Sequence, residues 1–247
     1  MRGSQLLSWE GHNADYWRRT WQVGAAYFFD SVASTNDVAA QLAENGAPDF
    51  TVVLAEEQTR GRGRSGSRWH AERGTALLFS VVIRIGREAQ TPGCAPIRVG
   101  LAVAEAISGH IGARADVKWP NDVVIADAGK AAGILCESVL GQQAAGYIVV
   151  GIGINVLQSL DQFAPELRGS ACSLLSATGI QVDRSVLLTD IIAQLRSIAH
   201  DIAEPLTDDE LARLSAMDVL RDRAIVCETV GGVINGRGRG VARDGAD

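Results

Sequence analysis

The chain has 247 residues, of which 47% are hydrophobic and 21% charged, and its formal net charge is −6. This is typical of a globular protein with one large domain or two smaller ones, and the acidic balance disfavours a general nucleic-acid binder. We find neither a signal-peptide pattern nor a run of ~18 apolar residues, so we expect a cytoplasmic protein with no membrane segment. The four cysteines are widely spaced, which predicts reduced, buried thiols and neither a zinc site nor a disulfide framework.

Strands and helices alternate in the predicted first half of the chain. Residues 1–24 form an N-terminal extension, in which the spacing of aromatic residues suggests a short helix. Three predicted strands follow, at residues 25–30, 50–55 and 76–85. Apolar residues at helical spacing predict a helix at 96–111, and His110 near its end is expected to be a C-terminal cap.

A further helix is predicted between the first two of these strands. Ser34 followed by Asp37 resembles a capping box, and the apolar stripe after it stops at Asn45. Ser34, Thr35 and Asn36 would therefore lie at a helix N-terminus, where amides and hydroxyls can contact a ligand. Helix capping alone is the alternative role for these residues.

The second half of the chain predicts an antiparallel meander followed by helices. The predicted strands are residues 115–119, 123–125, 131–140 and 146–156. A hairpin turn at 127–130 and a short connection at 141–145 argue against the βαβ units of a Rossmann sheet. Asp183 is expected to cap a long amphipathic helix that ends at Pro205, with a shorter helix at 208–215.

Two short strands, at residues 224–229 and 233–242, end the chain. The change from a long helix to short strands predicts a catalytic domain at 25–216 and the start of a small domain at 217–247. Two strands do not make an independently stable unit. We therefore expect the second domain to be incomplete or to lean on the first.

The least apolar stretch, residues 60–69, contains four arginines and three glycines. Glycine lets the backbone approach a ligand closely, and each arginine offers a planar fork of donors for a carboxylate or phosphate. The pattern predicts a mobile cationic loop that closes over an anion. A solvated basic loop is the alternative.

Two other features indicate contact with a ligand. Lys118 lies in an apolar strand just before Pro120, Asn121 and Asp122, and a lysine there either reaches solvent or is held against an anion. The later strand 146–156 contains two glycines, Gly151 and Gly153, and ends in an asparagine. We expect a ligand or backbone to approach it closely, with a bulge as the alternative.

Several familiar chemistries are absent from the sequence. It has no P-loop, no Gly-x-Ser-x-Gly nucleophile elbow and only four histidines, none placed for a triad. Several cations without a nucleophile favour transfer at a phosphorus atom, where positioning and charge stabilisation provide most of the catalysis.

Five segments, taken in order, resemble biotin protein ligases. They are Ser34-Thr35-Asn36, Gln58 with Gly61-Arg62-Gly63-Arg64-Ser65-Gly66 and Trp69, Lys118-Trp119-Pro120-Asn121-Asp122, Lys130-x-x-Gly133-Ile134-Leu135-x-Glu137, and Gly151-Ile152-Gly153-Ile154-Asn155. The resemblance covers about residues 25–245. It implies an α+β fold with a mixed, largely antiparallel sheet flanked by helices, similar to class II aminoacyl-tRNA synthetases, followed by a small β-barrel that we expect to be incomplete here.

The resemblance also implies a two-step reaction with ATP, magnesium and biotin. The biotin carboxylate attacks the α-phosphate of magnesium-bound ATP, and a lysine of a biotin carboxyl carrier protein of acetyl-CoA carboxylase then takes the biotin from biotinoyl-5′-AMP. By position, the implied biotin contacts are Ser34, Thr35, Asn36, Gln58, Arg62, Gly63, Arg64 and Lys118. The implied nucleotide contacts are Gly61, Arg62, Trp69, Lys130 and Asn155. Lys118 and Arg64 would be catalytic, and no residue is assigned to the metal.

This chain departs from the family pattern at Ser67, where the family usually has arginine, and loop closure over the nucleotide is expected to differ there. No N-terminal DNA-binding region is expected. Family members often pair through the sheet, so the choice between a monomer and a homodimer is left open. A lipoate–protein ligase is the nearest alternative, and a non-catalytic RNA-binding protein is the alternative from another class.

Overall fold

The computed structural model describes residues 4–86, 92–139, 146–229 and 231–245. Its strands are β1 (Ser8–Trp9), β2 (His12–Asn13), β3 (Ala25–Phe29), β4 (Thr51–Ala55), β5 (Ala76–Ile85), β6 (Ala115–Lys118), β7 (Asp122–Ile125), β8 (Gly129–Val139), β9 (Gly146–Asn155), β10 (Ala224–Thr229) and β11 (Gly232–Arg237). Its helices are α1 (Ala14–Thr20), α2 (Thr35–Glu44), α3 (Ala95–Ile111), α4 (Leu174–Thr178), α5 (Arg184–Ile198) and α6 (Asp208–Met217). Among these ranges, no helix combines the length and apolar content that a bilayer crossing requires.

Seven strands form one mixed sheet in the order β3-β4-β5-β9-β8-β7-β6. β3 and β4 run parallel, and the other neighbouring pairs are antiparallel. The predicted meander is confirmed, because β6 to β9 are neighbours in chain order; the connection predicted at 141–145 lies outside the described residues. β5 is an interior strand of the sheet and pairs with β9 from Ala76↔Asn155 to Ile85↔Gly146.

Helices cover the two faces of the sheet unequally. On one face α3 and α5 bury apolar residues such as Val103 and Ile192 against the sheet. On the other face the ten-residue helix α2 packs Leu42 against side chains that include Val53 of β4 and Val82 of β5. The mixed α+β fold flanked by helices is therefore confirmed, and the short α2 leaves part of its face open above β8 and β9.

The N-terminal extension packs into the same core as the sheet. The predicted short helix is α1, and Trp17 and Trp21 stack with ring centroids 4.9 Å apart. Trp9 is also buried, and its indole Nε1 donates to Glu56, just after β4, at 2.8 Å. The tryptophans therefore link the extension to the strand that leads into the arginine loop.

Short stretches of chain cover both margins of the sheet. At the β3 margin, residues 4–6 run beside the strand, and the Leu6 N–H donates to the Phe28 carbonyl at 2.8 Å. At the β6 margin, the Val219 N–H donates to the Val117 carbonyl at 3.1 Å. Each edge strand thus has at least one of its outward backbone groups paired.

The long helix α5 begins where it was predicted and ends earlier. The Asp183 carboxylate caps it by accepting from two backbone N–H groups of the first turn. The helix ends at Ile198, so the predicted end at Pro205 is wrong. Ile202 is fully buried on the turn that follows, which is why it extended the apolar pattern without extending the helix.

The C-terminal cap predicted for α3 is also wrong. His110 Nε2 lies 2.7 Å from Asp190 of α5, so this side chain joins two helices. Gly112, with a left-handed φ of 60°, ends the helix instead, because glycine has no Cβ to oppose that conformation.

The last strands form a hairpin whose following residues return to the main body. β10 pairs only with β11 in the described part of the chain, and β11 ends at Arg237, earlier than predicted. The Leu206 N–H donates to the Arg243 carbonyl at 2.8 Å, and the Trp119 indole donates to the Gly245 carbonyl at 3.2 Å. This segment leans on the main body, and a β-barrel is not confirmed.

Candidate functional site

The open part of the α2 face is a cleft of about 430 Å³, a volume that includes space open to solvent. The N-terminus of α2, the arginine loop and strands β8 and β9 form its walls. It is lined by Ser34, Thr35, Asn36, Gln58, Arg62, Gly63, Trp69, Asn121, Lys130, Gly133, Ile134, Leu135, Gly151, Ile152 and Gly153. Eight of the twelve predicted site residues therefore meet in one cleft, and Gly61, Arg64, Lys118 and Asn155 do not line it.

Glycines of β8 and β9 form the floor of the cleft, and side chains occupy the space above them. Gly133 and Gly153 are partners across the two strands, and a methyl group at Gly153 would lie 2.6 Å from Cε2 of Trp69. Gly151 leaves room for the amide of Asn36 in the same way. Side chains of the protein approach β9 closely, where a ligand or backbone was predicted, and β9 pairs with β5 and β8 without the bulge that was the alternative.

A glutamine, and not the predicted serine, satisfies the N-terminus of α2. Gln58 Oε1 accepts from the Thr35 backbone N–H at 2.7 Å and lies 3.1 Å from the Thr35 hydroxyl. Ser34 makes no capping bond with its side chain, so the predicted capping box is wrong. The Ser34 hydroxyl and the Gln58 amide nitrogen are left facing the cleft as groups that can bind a neutral polar ligand.

A hydrogen-bond network runs from α2 to the far end of β8. Ser80, buried in the middle of β5, lies 2.6 Å from Asn36 Oδ1 and 2.8 Å from the Thr35 hydroxyl. Asn36 Nδ2 donates to Glu137 Oε2 at 2.6 Å. The Leu135 carbonyl also accepts from Asn36 Nδ2, at 3.3 Å, and because a carboxylate and a carbonyl only accept, these two groups fix the Asn36 amide with its nitrogen outward and its oxygen towards Ser80.

The arginine loop is anchored at both of its ends. Arg62 donates to Asp37 at 2.8 Å and to Glu137 at 2.9 Å. Residues 62 and 68 form a β-bridge, and the Ser67 hydroxyl donates to the Arg64 carbonyl at 2.8 Å. Ser67, the position that departs from the family pattern, therefore closes the turn at the tip of the loop.

Gly61 and Trp69 close the base of the same loop. The Trp69 N–H donates to the Gly61 carbonyl at 3.0 Å, which places the indole over the glycine floor. The indole Nε1 is buried without a hydrogen-bond partner in the described residues. A buried N–H of this kind is costly to leave unpaired, so this position of Trp69 is open to displacement by a ligand.

The two predicted catalytic residues lie outside this cleft. Arg64 is exposed and lines a second, adjoining cleft of about 940 Å³, which shares Ile134 and Leu135 with the first and also contains Trp119. Lys118 is exposed at the end of β6 and lines neither cleft, although Trp119 follows it directly. The second cleft is therefore the place where a charged group extending from the first would meet Arg64.

Of the two remaining predicted nucleotide contacts, Lys130 lines the cleft and Asn155 does not. Lys130 Nζ lies 2.6 Å from Asp122 Oδ1 and 5.6 Å from the Trp69 ring centroid, at the wall of the cleft. Asn155 is buried, donates to the Cys172 carbonyl and accepts from Gln158, both at 3.1 Å. Asn155 thus has both ends of its amide occupied within the protein.

The thiols offer no nucleophile at this site. Burial raises the pKa of Cys136, which lines the second cleft, to about 12, and the charge of Glu137 adds to the rise. Burial likewise raises the pKa of Cys172 to about 11. Both are protonated near neutral pH, and only the thiolate is reactive.

The prediction from sequence missed four residues at this site. Asn121 lines the cleft, and Ser80 bonds to Thr35, which lines it. Asp37 and Glu137 hold Arg62. Ser80 had a signal, since it is a polar residue inside the most apolar strand. Glu137 lay in a quoted motif, but no pattern indicated its partners. No group of three metal-binding side chains occurs within the described ranges.

Comparisons with known proteins agree with this geometry. The family model of the biotin/lipoate A/B protein ligase family matches residues 28–155. The bifunctional ligase/repressor BirA of Bacillus subtilis is 35% identical over 165 residues, which is 67% of this chain and 50% of that protein. The biotin–[acetyl-CoA-carboxylase] ligase of Mycobacterium tuberculosis is 35% identical over 169 residues, 66% of this chain and 60% of that protein.

A solved structure resembles the whole fold. The biotin protein ligase of Aquifex aeolicus, in complex with biotin and ATP, superposes with a TM-score of 0.74 and 26% identity over 89% of each chain. Against the curated relatives, by contrast, the chain spans about half of their length, as with the 50% coverage of the Bacillus protein.

Proposed function

Because the chain belongs to the biotin/lipoate A/B protein ligase family, we propose that it is a biotin protein ligase. It activates biotin with ATP to biotinoyl-5′-AMP and transfers the biotin to a lysine of a carrier protein. The observation that supports this most is a pair of adjoining clefts, of which the first offers neutral polar groups and a glycine floor and the second contains Arg64. Biotin has the same order of parts: a ureido ring, an apolar chain and a carboxylate.

The polar end suits the ureido group. The Gln58 amide nitrogen is a donor for the ureido oxygen, and the Ser34 hydroxyl can accept from a ureido N–H. The chain of biotin lies over Gly153, in the space that the Trp69 indole occupies in this structure and leaves when the ligand binds. An apolar ligand part needs this kind of dry, flat surface, whereas the polar groups fix its direction.

The carboxylate then reaches the second cleft, where the chemistry takes place. It attacks the α-phosphorus of ATP, a P–O bond to pyrophosphate breaks, and a mixed anhydride forms. Arg64 and Lys118 stabilise the negative charge on the phosphoryl oxygens. Magnesium arrives with ATP as part of the substrate. The lysine amine of the acceptor attacks the carbonyl carbon, loses a proton, and AMP leaves.

Several finer predictions belong to this proposal. The acceptor is a biotin carboxyl carrier protein of acetyl-CoA carboxylase, Lys130 and Asn155 lie near the nucleotide, and the protein works in the cytoplasm. The catalytic domain comprises 25–216, with a likeness to class II aminoacyl-tRNA synthetases, and 217–247 begins a small β-barrel. The mass of the purified chain, measured by light scattering, decides whether it forms a homodimer.

Biotin-dependent exchange of labelled pyrophosphate into ATP tests the activation step. We expect Arg64→Ala and Lys118→Ala each to lower the exchange rate by on the order of a hundredfold, because each removes a charge that stabilises the transition state. Arg18→Ala removes a half-buried arginine on α1, far along the chain from the loop, and serves as the control. Wild-type exchange in both site variants would contradict the assignment of the catalytic residues.

Lipoate is the second candidate substrate, because the family includes lipoate ligases. Its dithiolane ring cannot pair with Gln58 or Ser34, and leaving buried polar groups unpaired costs about 1–3 kcal/mol. The polar network therefore favours biotin, and exchange driven by lipoate but not by biotin would reverse this choice. RNA binding that is sensitive to salt and consumes no ATP would support the non-catalytic alternative.

A further inference from the structure

Glu137 joins two parts of the site that are far apart in sequence. One of its carboxylate oxygens, Oε2, accepts from Asn36 Nδ2 at 2.6 Å and from Arg62 Nη2 at 2.9 Å. Asn36 belongs to the first turn of α2, Arg62 to the arginine loop, and Glu137 to the outer half of β8. A single acceptor therefore connects the helix, the loop and the sheet around the mouth of the cleft.

We propose that Glu137 is a positioning residue, which holds Arg62 and the arginine loop across the cleft before a ligand binds. In this role Arg62 is a clamp and is not the group that neutralises the ligand's charge. The inference deepens the proposed function of the site, and rests on it for the nature of the ligand. The anchoring itself does not depend on the ligand.

The charges around Arg62 support the clamp. Its guanidinium pairs with two carboxylates, Asp37 and Glu137, so these three side chains carry a net charge of −1. An anion placed beside them would meet repulsion. By contrast, no ion pair involves Arg60, Arg64 or Arg68 within the described residues.

This distribution of charge sets the direction of the ligand. Its neutral head lies at the end of the cleft closed by Asn36, Arg62 and Glu137, and its anionic end points to Arg64 at the loop tip. Glu137 is then also a specificity determinant, because it rejects ligands whose head group is anionic. A net like charge at the site is a common way to exclude a wrong ligand, and here it comes from Asp37 and Glu137 together, which exceed the single charge of Arg62.

Glu137 also contributes to the network behind the cleft. Its carboxylate and the Leu135 carbonyl both accept from Asn36 Nδ2, at 2.6 and 3.3 Å, so Asn36 turns its nitrogen outward and Ser80 donates to its oxygen. A glutamine at 137 keeps the size of the side chain but removes its charge, so the shared acceptor of Asn36 and Arg62 is weakened while the Leu135 carbonyl still holds the direction of the Asn36 amide. Glu137→Gln is therefore the informative variant.

Hydrogen exchange of the ligand-free full chain, followed by mass spectrometry, tests the clamp directly. In Glu137→Gln we expect the peptide that spans 60–69 to exchange at least fivefold faster than in the wild type, while the peptides of α5 stay unchanged. Asp37→Asn is the matched control: it removes the other partner of Arg62 but keeps Glu137, and should speed exchange by less. In an Arg62→Ala background, Glu137→Gln should add no further increase at 60–69.

Ligand binding gives the second readout. Biotin affinity should fall by about tenfold in Glu137→Gln, the loss expected from a charge-assisted hydrogen bond. The rate of pyrophosphate exchange into ATP at saturating biotin should stay within about twofold of the wild-type rate. Unchanged exchange of residues 60–69, or equal acceleration throughout β8 and α5, would overturn the inference. If biotin does not bind to the wild-type chain, the proposed function fails, and the hydrogen-exchange result still decides the clamp.

Discussion

Replacement of Gly151 by alanine tests whether the glycine floor holds Asn36 in place. A methyl group there would overlap Asn36 Oδ1 and lie 2.8 Å from its Cγ, which is too close for packed atoms. Asn36 is buried in the first turn of α2, so its amide must turn away and lose its bonds to Ser80 and Glu137. A neutral and a charge-assisted hydrogen bond contribute about 1 and about 2 kcal/mol, so the free energy of unfolding should fall by about 3 kcal/mol.

Guanidinium denaturation measures this loss, and calorimetric titration with biotin measures its effect on the site. The displaced amide forms part of the cleft wall, so binding of biotin should weaken as well. A loss of about 1.4 kcal/mol of binding free energy lowers affinity tenfold, and we expect the affinity for biotin to fall by more than that. Gly109→Ala is the control, since a methyl group there meets nothing within 4 Å and alanine favours a helix. A Gly151→Ala protein with the wild-type midpoint and biotin affinity would refute this account of the floor.

Two further predictions concern the loop and the response to acid. Saturating biotin should protect residues 60–69 from trypsin, because the ligand orders the glycine-rich loop, and equal cleavage with and without biotin would count against loop closure. Burial raises the pKa of Glu210, but hydrogen bonds from Arg98 and Thr207 outweigh it and lower the pKa to about 2 from 4.5. The stability from this carboxylate should therefore be complete above about pH 4.5 and decline as the pH falls towards about 2. In Glu210→Gln, denaturation midpoints measured through that window should lose this part of the pH dependence, and an unaltered slope would show that other groups dominate.

The sequence predicted best those parts that depend on local patterns. The long apolar runs around Leu78 and Val150 could only be buried strands, and both have the predicted length within about a residue. The site motifs were also recognisable, because they lie at strand ends and at one helix N-terminus. The structure brings these positions together on the α2 face of the sheet, a convergence that the motifs alone did not give.

Contacts between distant residues could not be predicted in this way. The bond from Asn36 to Glu137 spans 101 residues, and the sheet order that brings them together depends on the parallel β3–β4 pair. Asn155 has the sequence context of a ligand contact, yet its amide is occupied by the Cys172 carbonyl and Gln158, which follow it in the chain. A polar residue at a strand end can serve either purpose, and only the packed neighbours decide which.

The covered margins of the sheet bear on how copies of this protein associate. An uncovered edge strand recruits other strands and can seed fibres, and natural proteins block such edges. Here two segments of the chain cover the edges: Leu6 pairs with Phe28 at one margin, and Val219 pairs with Val117 at the other. An assembly that joins two sheets edge to edge must first displace one of these segments. The two flanking segments thus limit edge-to-edge contact between copies of the chain, and loosening either of them would expose unpaired backbone groups of an edge strand.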